Sequence, residues 1–231
     1  MIDIQQLIEA DKQCLLAVNG SDSLFLDGVM WTLSDTKTWI FSGLVLLYVV
    51  FKNNTWRNAL VVLVLIALAI TLADQFSSGL CKPYFARFRP AQDPEMMPFV
   101  NIVNAYRGGQ YGFISSHAAN CFAVAMLVSL LMRDRWLAVV MFLWALVPSY
   151  SRAYLGVHYP GDLICGAVAG CVISCLVYAS YSFVRKRFCP EAQYVSSQYT
   201  CSGYKTEDVD KLYAALLLTC FYVLVKAMLM K

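Results

Sequence analysis

The sequence is short of charge. Only 14% of its 231 residues are Asp, Glu, Lys or Arg, against about 25% in an ordinary globular domain. Hydrophobic residues make up 59%, and the mean hydropathy is +0.57. A soluble domain of this size could not hide that much apolar surface, so a lipid bilayer is the expected solvent. The net charge of +3 is too small to argue for nucleic acid. No basic run is interleaved with aromatics either, and DNA or RNA is not an expected partner. The nine cysteines are an odd number, and most sit inside apolar runs (Cys121, Cys165, Cys171, Cys175, Cys220). With no C-x-x-C pair and no Cys/His cluster, they read as small apolar helix residues rather than disulfides or zinc ligands. The N-terminal stretch carries Asp3, Glu9 and Asp11. It lacks the basic segment and apolar core of a cleavable signal peptide. There is no internal repeat.

What is present is a series of apolar segments. Residues 2–18 mix Ile4, Leu7, Ile8 and Leu15 with polar side chains, the pattern of an amphipathic helix at a membrane surface. Asn19-Gly20-Ser21-Asp22 breaks it, and a shorter interfacial stretch is expected from Leu24 to Leu33, giving an interfacial segment over 1–35. Six apolar runs follow near 37–52, 57–80, 115–132, 136–151, 161–184 and 210–230. The first and fourth are short for a hydrocarbon core of about 30 Å. The expected fold is all-α: a polytopic membrane helix bundle of about six spans, one domain over 1–231. A polar linker is expected over 188–209.

Orientation follows from Lys and Arg near the span ends. Lys52, Arg57, Arg133, Arg135, Arg185, Lys186, Arg187, Lys205 and Lys211 lie on one face. The other face has as many, but Lys82, Arg89 and Arg152 belong to a site described next. Without them the first face is richer, and it is expected to be cytoplasmic.

Only two histidines occur, His117 and His158. Each lies at the mouth of an apolar segment, and on this topology both face the same side. Three clusters converge there. Lys82 to Pro90 leaves the second span, Ser115-Ser116-His117 opens the third, and Ser151-Arg152 closes the fourth, with His158 and Asp162 at the start of the fifth. Three cations gathered at a membrane boundary suit an oxyanion, and arginine's planar fork suits a tetrahedral phosphate. Ser115 stands where a helix begins, so free backbone N–H groups can point at an anion. Snorkelling of basic side chains toward headgroups would explain one or two cations, but not the companion serines, histidines and aspartate. Tyr159-Pro160-Gly161 reads as a helix start. Asp162, in that first turn, can fix the tautomer of His158 and leave the other ring nitrogen free to attack. Alone, Asp162 would read as a helix-start acid. Asp74, inside the second span, either pairs with a site cation or is a structural carboxyl. Loop 91–113 either shapes the approach of a headgroup or only connects.

These clusters resemble the motifs of the type 2 phosphatidic acid phosphatase (PAP2) superfamily: K-x6-R-P, P-S-G-H and S-R-x5-H-x3-D. Lys82, Arg89 and Pro90 match the first in full, and Ser151, Arg152, His158 and Asp162 match the third. The second is matched at Ser115 and His117, with Ile114 for the proline and Ser116 for the glycine. The resemblance implies a metal-independent phosphatase with no cofactor. His158 would be the nucleophile, oriented by Asp162. His117 would protonate the leaving oxygen. Lys82, Arg89, Ser115, Ser116 and Arg152 would hold the phosphoryl oxygens. It implies a membrane lipid phosphate as substrate, handled at the outer face of a bacterial inner membrane. The run G-F-I-S-S-H-A-A-N and the N-terminal amphipathic stretch look most like lipid phosphatases of Bacteroides-type bacteria. A lipid A phosphate, at the 4′ position, is the favoured substrate. Undecaprenyl diphosphate is next, then phosphatidylglycerophosphate or phosphatidic acid. An inactive lipid-binding relative is the alternative of a different class. Soluble vanadium haloperoxidases share the motifs but not the apolar segments.

Overall fold

Polar caps set where most of the apolar runs begin. The computed structural model describes residues 4–188 and 197–230, with the backbone alone at 185–188. Helix α1 spans Ile4–Val18, and α2 spans Leu24–Ser34 behind a Ser23 cap. A 3₁₀ turn at Thr36–Trp39, capped by Asp35, leads into α3 (Ile40–Asn53). Helix α4 (Trp56–Asp74) starts at a Thr55 cap and continues through a π-helical stretch, Gln75–Cys81, into the short α5 (Lys82–Phe85). Then come α6 (Ser116–Met132, capped by Ser115), α7 (Arg135–Tyr154, capped by Asp134), α8 (Pro160–Phe188) and α9 (Thr206–Leu229). Each capping oxygen accepts a backbone N–H that the first helical turn leaves free. Among the described residues, sheet-like pairing is confined to two isolated bridges, Phe88 with Tyr111 and Tyr199 with Lys205.

Four helical stretches are long and apolar enough to cross a membrane: Trp56–Phe85, Arg135–Tyr154, Pro160–Val184 and Thr206–Leu229. Helix α2 and the segment Thr36–Asn53 form a further candidate, bent by 68°. Their outward residues include Leu44, Val64, Leu143, Leu176 and Leu217, all more than half exposed. Such a surface needs lipid rather than water, and the chain is a multi-pass, all-helical membrane protein.

Each expected segment is helical, with some differences: at 17 residues Ser116–Met132 is shorter than the four helices long enough to cross a membrane. The 37–52 run is one limb of the bent pair, not a separate straight span. Helix α2, expected to lie at the interface, buries Val29 and Leu33 against Val223 and Ala227 of α9. The fourth run, expected over 136–151, is longer because the helix continues past Ser151 to Tyr154, reaching 20 residues. The last helix begins at Thr206, where Glu207 and Asp208 sit in its first turn and complement its dipole. Of the expected linker over 188–209, residues 189–196 lie outside the described residues. Residues 197–205 form a turn in which Thr200 N donates to Tyr204 O at 2.8 Å and Ser202 Oγ to Met132 O at 2.6 Å.

The contact that positions the site is between α6 and α8. Small residues line it: Ala118, Ala119 and Ala123 on α6, Gly166 and Gly170 on α8. A Cβ at Gly166 would fall 2.5 Å from Ser115 O, and one at Gly170 would run into Ala119 O. Glycine therefore lets the two backbones touch, as small residues do in membrane helix pairs. Ser174 Oγ donates to Ala123 O at 2.7 Å. At the top of the seam Ser115 N donates to Asp162 O at 3.0 Å, tying the starts of α6 and α8 together.

Candidate functional site

Helix α7 ends in a turn that delivers His158. Gly156 takes φ 69°, a left-handed conformation that glycine adopts without strain, and Val157 N donates to Arg152 O at 3.1 Å. His158 follows with 1% of its surface exposed, and Asp162 with 0%. His158 Nδ1 lies 3.4 Å from Asp162 Oδ2, which also accepts from Tyr159 N at 3.1 Å. On the other side of the ring, Arg89 Nη1 lies 3.2 Å from His158 Nε2. An arginine can only donate, so Nε2 must be the acceptor and Nδ1 must carry the proton that faces Asp162. The free ring is thus a neutral imidazole with its lone pair on Nε2. Its environment enforces this: burial, then the charges of Arg89, Arg152 and Lys82, push His158 well below the usual imidazole value.

Arg89, Arg152, Lys82 and His117 lie near enough to act on that ring electrostatically. The π-helical stretch carries the chain out of α4 so that Lys82 Nζ donates to Ser78 Oγ and Ser116 Oγ, both at 3.0 Å. π-Helical geometry often marks functional positions. Arg89 also donates through Nε to Tyr111 O at 3.1 Å and through Nη1 to Val157 O at 3.4 Å. Burial and the nearby Arg152 lower its pKa, though a guanidinium remains charged throughout the physiological range. Ser115 is fully buried, and its Oγ accepts from Ala118 N at 3.4 Å as the α6 cap. Arg152, in the last turn of α7, donates to Ser34 Oγ at 2.5 Å and to Tyr106 OH at 3.2 Å, while its Nε is buried without a partner. His117, on the first turn of α6, lines a cavity of about 370 Å³. Ser151, the remaining motif serine, bonds Pro148 O within its own helix at 2.8 Å. As for Asp74, Lys82 turns to Ser78 and Ser116 instead. Among the described residues no group of three or more His, Cys, Asp or Glu side chains comes together as a metal ion would need.

Two site residues escaped the sequence reading. Arg87 lies inside the first motif, two residues before Arg89. Its Nη1 donates to Asp162 Oδ1 at 3.0 Å and its Nη2 to Asp11 Oδ2 at 2.8 Å, with the guanidinium 4.1 Å over the Tyr159 ring. Asp11 also accepts from Gly161 N at 2.7 Å. Helix α1 is therefore more than a surface helix: Asp11 fastens it to the start of α8. Lys12 adds a 2.6 Å contact to Glu95 in the long loop. A basic residue set between Phe85 and Phe88 was the available signal. The second is Tyr106. Burial alone would raise its phenol, but the hydrogen bond from Arg152 and the charges of Arg152 and Arg89 lower it. Loop 91–113 thus contributes a hydroxyl to the site.

The chain is a membrane-embedded helical protein with a buried, tautomer-fixed histidine facing a cluster of cations. Residues 58–186 match the PAP2 superfamily, and the chain belongs to that family. It is 44% identical over 169 residues to a lipid A 4′-phosphatase of Bacteroides thetaiotaomicron, covering 72% of this chain and 75% of that one. It is 32% identical over 185 residues to a lipid A 4′-phosphatase of Porphyromonas gingivalis, covering 80% and 78%. Its fold resembles the crystal structure of a transmembrane PAP2 type phosphatidylglycerolphosphate phosphatase from Bacillus subtilis. The TM-score is 0.56 at 19% identity, covering 80% of this chain and 89% of that one. The expected family and the all-helical membrane fold are both borne out.

Proposed function

We propose that the protein hydrolyses a phosphate from lipid A, most simply the one at the 4′ position, through a phosphohistidine intermediate. The observation that carries this reading is the His158 ring: Nδ1 faces Asp162, and the Nε2 lone pair, unprotonated, accepts from Arg89 until a phosphate takes that guanidinium. His158 Nε2 attacks phosphorus. Asp162 keeps the ring oriented and stabilises the charge it gains. His117 gives a proton to the departing sugar oxygen and later takes one from the water that cleaves the phosphohistidine. Lys82, Arg89, Ser115, Ser116 and Arg152 hold the phosphoryl oxygens as charge builds on them. The two relatives named as lipid A 4′-phosphatases support the choice of substrate.

The whole chain acts as one domain with its motif core at 82–162. It works in the bacterial inner membrane with the site at the periplasmic face, where a headgroup can enter while its chains stay in the bilayer. The positive-inside count and a six-span arrangement, with α6 as a short span, support this side. The test is phosphate release by the purified protein in detergent from a panel of lipid A, undecaprenyl diphosphate, phosphatidylglycerophosphate and phosphatidic acid. Lipid A should be turned over fastest. A protein that inserts and folds but releases no phosphate from any of them would refute the assignment.

A further inference from the structure

Helix α1 uses only half of one face. Ile4, Leu7, Ile8, Asp11 and Leu15 fall on a single stripe, at the three- and four-residue spacing that stacks side chains along a helix. The second half of that stripe is packed. Leu15 is fully buried among Met96 and Val100 of the long loop, Ala153 of α7 and Tyr159. Asp11 accepts from Gly161 N at 2.7 Å and from Arg87 Nη2 at 2.8 Å. The first half is not packed: residues 4–10 are all exposed, Ile4 by 72%. An apolar stripe covered at one end and bare at the other calls for a second covering.

The seat of α1 shows what lies beside its first half. Gly161 is the second residue of α8, at the end of a helix long and apolar enough to cross the membrane. Asp11 therefore stands at the membrane boundary. At the far end of α1, Val18 lines an apolar cavity of about 260 Å³ together with Leu146 and Tyr150 of α7 and Ile164 of α8. Those three are exposed on the outer surface of the bundle, the one that needs lipid. The stripe on α1 is thus continuous with the lipid-facing surface.

We propose that the first half of α1 beds into the lipid at this boundary, and that Asp11 carries the seating to the site as a positioning residue. Arg87 is the link. Its Nη2 is held by Asp11 and its Nη1 by Asp162 Oδ1 at 3.0 Å. A guanidinium held at both prongs cannot swing, so Asp162 keeps its other oxygen on Tyr159 N and His158. With α1 lifted, Arg87 would keep one carboxylate and could turn away from the other. Lys12 with Glu95, and Asn19 with Asn101 and Tyr154, tie the same helix to loop 91–113 and to the end of α7. Turnover is then full only while α1 rests on a bilayer, which favours a phosphate presented at that surface. The inference rests on the functional reading above, because Asp162 acts on turnover through His158.

The test uses the full-length protein in vesicles of phosphatidylethanolamine and phosphatidylglycerol, with whichever lipid phosphate of the panel above is turned over fastest. Asp11→Asn keeps a carbonyl oxygen for Gly161 N and removes the charge that holds Arg87. It should lower kcat about tenfold with KM within about threefold, a smaller loss than in Arg87→Gln because Arg87 still reaches Asp162. In the Arg87→Gln background the same change should cost less than about twofold, whereas a merely structural role would cost as much in both backgrounds. Ile4→Gln, Leu7→Gln and Ile8→Gln together alter only exposed side chains. That triple variant should lower kcat about fivefold, and it too should cost little in the Arg87→Gln background. Wild-type kcat in Asp11→Asn, or additive losses with Arg87→Gln, would overturn the positioning role. Wild-type kcat in the triple variant would overturn the lipid seating. Both results leave the phosphatase reading intact. A wild type that releases no phosphate from any lipid of the panel would overturn that reading and this inference with it.

Discussion

Replacing Arg87 with glutamine removes a cation that touches no part of the proposed substrate, yet the reaction should slow markedly. Arg87 is 24% exposed, and its guanidinium bridges Asp11 at 2.8 Å and Asp162 at 3.0 Å, the latter fully buried. Removing one partner of a buried ion pair costs roughly 3–5 kcal/mol, because the other charge stays behind unpaired. Asp162 would keep the Tyr159 N–H at 3.1 Å and the His158 contact at 3.4 Å, so the lower end of that range applies. If about 2.7 kcal/mol of it reaches the barrier, kcat falls about 100-fold. KM should stay within a factor of about three, since only the orientation of His158 is lost. Arg87→Lys should restore about tenfold of the loss, because a lysine supplies the charge but not the fork that spans two carboxylates. The assay is steady-state phosphate release from a lipid phosphate in detergent, with a thermal melt for each variant. A folded Arg87→Gln protein with wild-type kcat would show that Asp162 needs no cation to serve His158. A rise in KM at unchanged kcat would instead place Arg87 on the substrate.

Other outcomes follow from the same geometry. His158→Ala should abolish phosphate release in a correctly inserted protein, and His117→Ala should be severe for lipids but milder for a phosphate ester with a good leaving group; turnover by the first variant sinks the mechanism. The His158 lone pair must be free to attack, and burial with Arg89, Arg152 and Lys82 holds its pKa well below 6.5. Activity should therefore persist as pH falls past 6.5 and decline only well below it, and a pH–kcat/KM profile with an acid limb at 6.5 or above would contradict this. Lys82, Arg89 and Arg152 supply the charge that metal ions supply elsewhere, so EDTA should leave turnover intact and vanadate should inhibit; metal-restorable loss in EDTA would refute it. In a cysteine-free background, a cysteine at Gln92 should react with an impermeant thiol reagent in spheroplasts and one at Asp134 only after permeabilisation, and the reverse pattern would put the site in the cytoplasm.

The helices were legible because apolar runs long enough for a bilayer admit few other structures. The candidate site was legible because polar side chains are scarce here, so Lys82, Arg89, Ser115, His117, Arg152, His158 and Asp162 stood out at the span ends. What escaped depends on contacts distant in sequence. The bend between α2 and α3 arises at Ser34-Asp35, where Asp35 caps the next turn through Lys37 N, a signal that looks like any helix start. The docking of α1 through Asp11 to the start of α8 joins residues on either side of six helices, and no local pattern encodes it. Arg87 was hidden by its neighbour Arg89, whose spacing fitted the motif. The π-helical stretch at Gln75–Cys81 has a sequence that reads as ordinary helix.

The glycine seam between α6 and α8 also bears on how the protein is made. Its two halves leave the ribosome far apart: the Ser115 amide must wait for Asp162 before it has a partner, and its carbonyl for Gly166 before α8 packs against it. A nascent chain with α6 inserted but α8 still in the exit tunnel has Lys82 and Ser116 in the membrane, without His158, the proposed nucleophile, or Asp162 beside it. On the proposed mechanism the site is complete only once α8 packs against α6 and the backbones close. A bulkier side chain at Gly166 would act at that assembly step. It would leave a fully inserted chain of correct topology whose two histidines never come to face the same phosphate.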